Sequence, residues 1–350
     1  MFAAPALLFA AVVSGVAAAP NQVTGLNVLA QRLKPSRYVG TATESYDILN
    51  ATTFGRVYGK IATSNEFGIY TNENTLKWQV IRLETSEPQP GVFNFTSGDK
   101  LFSIAKQNGK KMRGHTLVWH SQLAPWVSAN NYTASELKSI MKRHVQTVAG
   151  HYRGQVYAWD VVNEAFNEDG TYRESIWYNN FGEDYIEWAF RWAHEADPYS
   201  LKYYNDYNFE SISPKTDAAV KLVKKLKAKG VPIHGIGAQS HLIVGQVPSD
   251  FKQTLQRFAD LGVDVALTEL DIRMELPVTA EKLAQQATDY TSSVNACLGV
   301  KRCVGITLWQ FTDAVSWIPG VFPTEGAALP WDEDLKTKPA YDAMRKALGA

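Results

Sequence analysis

Two short apolar runs each deliver a glutamate. Trp159-Asp160-Val161-Val162-Asn163-Glu164 and Val265-Ala266-Leu267-Thr268-Glu269-Leu270-Asp271 are too hydrophobic to lie on a surface, yet each presents a carboxylate where the apolar stretch stops. The two glutamates are 105 positions apart (269 − 164), so only folding can bring them together. Two carboxyl groups flanking one bond are what glycoside hydrolysis requires, one as acid and the other as nucleophile or base. Either glutamate alone could serve in a buried salt bridge or a helix cap. The pair, each at the end of a strand-like run, points to chemistry.

The elements that would position them alternate. Candidate strands are Tyr38–Thr43, Gly68–Thr71, Lys111–Val118, Val156–Asn163, Lys202–Asn208, His234–Gln239, Val263–Glu269 and Gly305–Phe311. Between them lie helical patterns. Ala134–Arg153 carries Leu137, Ile140, Met141, Val145 and Val148 at helical spacing behind the candidate cap Thr133, and Pro214–Ala228 is stopped by Gly230. Ala280–Leu298 and Tyr341–Leu348 have the same character. Eight strands separated by helices, with no Gly-x-Gly-x-x-Gly fingerprint, predict a closed (β/α)8 barrel, an α/β fold whose chemistry sits where strands end and loops begin. Seven candidate strand ends are polar, among them Thr71-Asn72-Glu73-Asn74, Asn205-Asp206-Tyr207-Asn208 and Gln239-Ser240-His241. They predict one polar cleft on one barrel face.

Composition narrows the function. The chain has 350 residues, which one barrel domain can accommodate. Lys+Arg and Asp+Glu balance at 35 each, so there is no electrostatic footprint for nucleic acid or an anionic membrane. Ten Trp, 16 Tyr and 15 Phe supply core, and sugar-binding clefts use the same flat faces beside hydrogen-bonding groups. Residues 1–19 resemble a secretory signal, an apolar run ending in Val16-Ala17-Ala18-Ala19 with cleavage expected near Ala18 or Ala19. The run is too short to span a bilayer, which takes roughly 20 apolar residues. Residues 20–350 then form the catalytic domain of a secreted protein. No Ser/Thr/Pro-rich linker announces a carbohydrate-binding module. Cys297 and Cys303, the only cysteines, read as one local disulfide in a secreted chain. A metal site would need further His or Cys beside them, and none is near. Asn50, Asn94 and Asn131 each begin an Asn-x-Thr acceptor for N-glycosylation.

Several motifs occur in order from about residue 25 to the C-terminus: Glu73-Asn74-x-x-Lys77-Trp78, Gly114-His115-Thr116-Leu117-Val118-Trp119-His120, Trp159 to Ala165, Gln239-Ser240-His241 and Thr268-Glu269-Leu270-Asp271. With these the chain resembles family 10 glycoside hydrolases, secreted retaining endo-β-1,4-xylanases on a (β/α)8 barrel, and its disulfide loop and signal are similar to those of fungal members. The resemblance implies Glu164 as acid/base and Glu269 as nucleophile. It implies that Asn163 bonds the 2-hydroxyl of the sugar in the −1 subsite, where binding can strengthen in the transition state. Gln239 and His241 would hold and tune the nucleophile, and Asp271 would fix the tautomer of His241. Glu73, Asn74, Lys77, His115 and Gln122 would contact the −1 and −2 sugars. Trp119, Trp309 and Trp317 would wall the pocket, and Tyr207 would stack on a +1 sugar. Gln122 and Trp317 would leave no room for a hydroxymethyl arm, favouring xylose over glucose. The implied partners are xylan and xylo-oligosaccharides, with no cofactor and a monomer as the default state.

Two positions depart from the pattern. Gln310 follows Trp309 where the family usually has glycine, and Pro330-Trp331 replaces a commoner aliphatic pair near the glycone end. A long Gln310 side chain is expected to alter packing below the −1 site or the path of the next loop. The rival readings are a barrel glucanase using the same carboxylates, and a catalytically silent sugar-binding barrel, whose usual sign would be a lost glutamate. Both glutamates are present.

Overall fold

A computed structural model of the chain describes residues 25–79 and 86–350; the expected signal segment lies outside them. Eight parallel strands form the barrel: β1 (Tyr38–Thr43), β2 (Ile69–Asn72), β3 (Lys111–Val118), β4 (Ala158–Asn163), β5 (Leu201–Asp206), β6 (Gly235–Ala238), β7 (Asp264–Glu275) and β8 (Cys303–Leu308). Each pairs with the next, and β8 pairs with both β7 and β1, so the sheet closes and no barrel edge is left unpaired. The strands read as near-continuous apolar runs because helices cover the outer face and side chains fill the inner one.

The crossover helices begin where the residues dictate. Helix Ala134–His151 opens with a capping box, Thr133 accepting from the Glu136 backbone and Glu136 answering to Thr133. Helix Pro214–Ala228 starts the same way from Ser213 and Thr216, with Pro214 where a missing N–H costs nothing. Helix Ala280–Leu298 follows Thr279, whose side chain accepts from Lys282. The last helix, Pro339–Ala347, starts two positions before the expected Tyr341, because Pro339 and Ala340 also fit a first turn.

Small residues let the strands carry large neighbours. A Cβ on Gly114 would lie 2.2 Å from the Trp159 ring, and one on Gly235 would lie 2.2 Å from Tyr203. Inside the wall, the fully buried Arg113 of β3 forms an ion pair with Asp160 of β4, and its guanidinium lies 4.5 Å from the Tyr203 ring centroid.

Several strand bounds differ from expectation by one to three residues, and one by six. β7 does not stop at Glu269 but runs on to Glu275. Its outer half gains two partners that a linear pattern does not reveal. His241–Ile243 adds alongside it with His241 opposite Asp271, and Glu325–Gly326 adds antiparallel with Glu325 opposite Glu275. The extension fixes His241 directly above the nucleophile candidate.

Pro330-Trp331 also differs from expectation. Trp331 is 3% exposed and packs among Phe67, Phe311 and Tyr341, so it belongs to the core and does not face the cleft. The expected disulfide joins Cys297, at the end of its helix, to Cys303, the first residue of β8. Of the glycosylation acceptors, Asn50 and Asn131 are exposed and Asn94 is partly exposed.

Candidate active site

The C-terminal ends of the strands open into a cleft of about 1200 Å³. It is lined by Glu73, Asn74, Lys77, His115, Trp119, Gln122, Asn163, Glu164, Tyr207, Gln239, His241, Glu269, Trp309 and Trp317. Every expected site residue except Asp271 is therefore on its wall. Asp271 is fully buried behind His241.

Glu164 follows β4 with φ +57°, a left-handed conformation that costs an L-residue roughly 1–2 kcal/mol. Both its backbone groups are held. Its N–H donates to the Asn205 carbonyl at 2.9 Å, and its carbonyl accepts from Arg173 Nε at 3.2 Å. The strained turn swings the carboxyl into the cleft, where three neutral donors meet it. Asn163 Nδ2 (3.2 Å) and Gln239 Nε2 (3.0 Å) donate to Oε1, and Trp119 Nε1 (2.8 Å) donates to Oε2.

Glu269 is held differently. Asn205 Nδ2 donates to its Oε1 at 2.7 Å, His241 Nε2 reaches its Oε2 at 3.1 Å, and His115 Nδ1 lies 3.9 Å from Oε1. Burial favours the neutral carboxyl, but the His241 hydrogen bond and the charges of His115 and His241 outweigh it, so Glu269 is held below the usual carboxylate range. His241 in turn sits between two carboxylates, with Nδ1 2.9 Å from Asp271 Oδ2. Burial opposes its charge, yet Asp271 and Glu269 raise its pKa to about 10. The imidazole is thus protonated on both nitrogens at neutral pH. Asp271 faces Nδ1, the contact the sequence reading called for, and leaves Nε2 turned toward Glu269. Trp317 Nε1 donates to the same Asp271 oxygen at 2.8 Å, tying one pocket wall to this chain of contacts.

Gln239 also differs from its expected role. Its side chain reaches Glu164 and Asn163 Oδ1 (3.2 Å), while only its main-chain carbonyl meets Glu269, accepting from Glu269 N at 2.9 Å. Ser240 explains how Gln239 and His241 point to different carboxylates. At φ +63° it makes a corner, clamped by Glu210 Oε1, which accepts from Ser240 N at 2.8 Å and Oγ at 3.1 Å.

At one end of the cleft, burial raises the Glu73 carboxyl and lowers the Lys77 ammonium, each partly offset by the other's charge. Lys77 Nζ lies 5.2 Å from the Trp119 ring centroid and 5.8 Å from that of Trp309. At the other end, Tyr207 carries Lys215 Nζ 3.4 Å from its ring centroid, and its hydroxyl accepts from Arg173 at 2.6 Å.

Sequence reasoning missed Asn205, which joins the two halves of the site by donating to both Glu269 Oε1 and Asn163 Oδ1 (2.9 Å). Its only signal was membership of a polar strand end. It also missed Asp160, whose Oδ2 lies 3.0 Å from His115 Nδ1, and Tyr46, a half-exposed ring on the cleft wall.

A closed barrel with two differently held glutamates, one just beyond its fourth strand and one midway along its seventh, walled by tryptophan, defines a glycoside hydrolase of the (β/α)8 class. Residues 27–347 match the sequence pattern of Glycosyl hydrolase family 10, and the chain belongs to that family. It is similar to an endo-1,4-beta-xylanase of Agaricus bisporus, 47% identical over 93% of this chain and 95% of that protein. It is 48% identical to endo-1,4-beta-xylanase A of Humicola insolens over 94% of this chain and 87% of the other. Among solved structures, xylanase 10B from Thermotoga petrophila RKU-1 in complex with xylobiose matches with a TM-score of 0.87 at 39% identity, over 93% of this chain and 97% of that one.

Proposed function

We propose that the chain is a secreted, retaining endo-1,4-β-xylanase acting on internal bonds of xylan and xylo-oligosaccharides. The observation that carries the reading is the unequal treatment of the two glutamates. Glu269 faces a doubly held imidazolium and stays ionised, ready to attack an anomeric carbon. Glu164 meets only neutral hydrogen-bond donors, which orient its carboxyl in the cleft.

In the first step Glu164 protonates the departing sugar oxygen while Glu269 forms a covalent glycosyl ester. In the second, Glu164, now deprotonated, takes a proton from water as that water attacks the same carbon and releases Glu269. Asn163, bridged to Asn205 and Gln239, is held to bond the 2-hydroxyl of the reacting sugar. Trp309, Trp119 and Trp317 exclude water and cover apolar sugar faces. The secretory reading rests on the apolar N-terminal run; among the described residues no helix is long and apolar enough to cross a membrane.

The test is a pair of variants assayed on xylan and on aryl xylobiosides. Glu269→Gln should abolish turnover on both. Glu164→Ala should cripple xylan cleavage while sparing the first step on aryl glycosides whose leaving groups need no proton. The freshly released sugar should keep the β configuration. Substantial activity in Glu269→Gln, equal damage to both substrates in Glu164→Ala, or an α product would refute the assignment. Faster cleavage of carboxymethyl cellulose than of xylan would favour a glucanase.

A further inference from the structure

Gln310 lies two residues beyond β8 with φ +67°, where glycine would be unstrained, yet it carries a long side chain that is 1% exposed. Its amide is committed at both ends. Oε1 accepts from Tyr58 OH at 2.6 Å, and Nε2 donates to Glu73 Oε2 at 2.6 Å, with Asp47 Oδ2 at 3.4 Å from the same nitrogen. The Tyr58 hydroxyl is 2.7 Å from Thr43 Oγ1 at the end of β1. Tyr58 has one proton to give, so the hydroxyls and the amide form one directed chain, Thr43 to Tyr58 to Gln310 to Glu73. A flipped amide would turn its oxygen toward two carboxylates, so the orientation is fixed by its surroundings.

Glu73 follows β2 and Tyr207 follows β5, three strands further around the barrel, and both line the cleft. In the xylanase reading the leaving sugar lies toward Tyr207 and the retained sugars toward Glu73. A cationic donor at position 310 would fix Glu73 by neutralising it. The neutral amide fixes the carboxylate while leaving its charge for sugar hydroxyls.

We propose that Gln310 is a positioning residue that aims Glu73 at the second sugar on the retained side of the cleft, and so sets how much that sugar contributes to cleavage. The inference deepens the xylanase reading and rests on it.

The ratio of kcat/KM for 4-nitrophenyl β-xylobioside to that for 4-nitrophenyl β-xyloside isolates the second sugar. Gln310→Met keeps the length and removes the donor; Gln310→Gly relieves the backbone and removes the side chain, which secures a folded variant. Each should lower the ratio about tenfold, chiefly through KM on the xylobioside. Glu73→Ala should lower it at least as far, and the double variant Gln310→Met with Glu73→Ala should match Glu73→Ala alone to within about twofold. A ratio unchanged in both Gln310 variants, or a double variant that loses the full Gln310→Met factor again, would overturn the proposal. A wild-type protein that cleaves neither glycoside would sink the hydrolase reading itself, a result distinct from an unaltered ratio.

Discussion

Asn205 Nδ2 donates to Glu269 Oε1 at 2.7 Å, so that carboxylate is aimed by a residue on a strand neither glutamate occupies. The same nitrogen reaches Asn163 Oδ1 at 2.9 Å, and the Asn205 carbonyl accepts from Glu164 N at 2.9 Å. Its own Oδ1 accepts from Thr268 at 2.6 Å, which fixes the amide orientation. One buried amide therefore references both halves of the site to β5.

Asn205→Ala removes a hydrogen bond to a charged group, worth roughly 1.5–3 kcal/mol, or about ten- to 150-fold in rate if it acts fully in the transition state. The expected result is a loss of that order in kcat on xylan with a much smaller change in KM. Steady-state kinetics beside a melting curve checks it. A variant that keeps its kcat would show that Glu269 is aimed by His241 alone.

His241 sets a pH limit on stability. Its folded pKa, about 10, lies above the unfolded value near 6.5. A raised pKa stabilises fully below the unfolded value, and that contribution is lost as pH rises through the folded one. The wild type should therefore exceed His241→Asn in melting temperature most at and below about pH 6.5. The gap should close steadily toward pH 10. Melting curves from pH 6 to pH 10.5 test this, and a gap that widens with pH would contradict the charged imidazole.

What the sequence made legible was what local pattern controls. The eight strands emerge from apolar runs bounded by turns, and both glutamates from their place where those runs give out. Gln239 was visible as a site residue, but the direction of its side chain was not. The left-handed corner at Ser240 decides that Gln239 meets Glu164 while His241 meets Glu269, and Glu210, thirty positions earlier, holds the corner. Asn205 was hidden for a similar reason, since an amide at a strand end has no meaning until its neighbours on β4 and β7 are in place. The outer half of β7 depends on two short strands that form only against it. Gln310 showed as an oddity in sequence, and its cause, Tyr58 and Glu73, is 252 and 237 residues away.

A second buried acid shapes the response to low pH. Glu87 accepts from Arg143 at 2.8 Å and from Gly91 N at 2.8 Å, and its Oε2 lies 3.0 Å from His144 Nδ1. Burial alone would raise its carboxyl, but the His144 contact, Gly91 and Arg143 hold it below the usual range. His144 is stacked 3.6 Å from Trp78, and burial lowers its pKa, so it serves as a neutral donor. Glu87→Ala should cost about 3 kcal/mol at neutral pH by leaving buried donors unpaired. Because the folded pKa is depressed, that difference should persist above the unfolded value near 4.3 and shrink as pH falls through the folded one. Chemical denaturation at pH 7 and at pH 3 checks both the size and the sign.

The disulfide offers a change in stability separable from catalysis. Cys297 and Cys303 are six positions apart and both fully buried, and Cys303 opens β8 at the barrel end opposite the cleft. A loop that short constrains the unfolded chain modestly, about 2 kcal/mol in the chain-entropy model. For a domain of this size that corresponds to a fall in melting temperature of about 3 °C, since the unfolding entropy grows with chain length. The paired substitution Cys297→Ala and Cys303→Ala should therefore lower the melting temperature by a few degrees, somewhat more if the vacated sulfur volume stays empty. At 25 °C its kcat and KM on xylan should match the wild type, because no residue of the loop touches the cleft wall. Loss of activity with an unchanged melting temperature would mean that the base of β8 is coupled to Trp309 and Gln310 through the strand, and that the two ends of the barrel do not act independently.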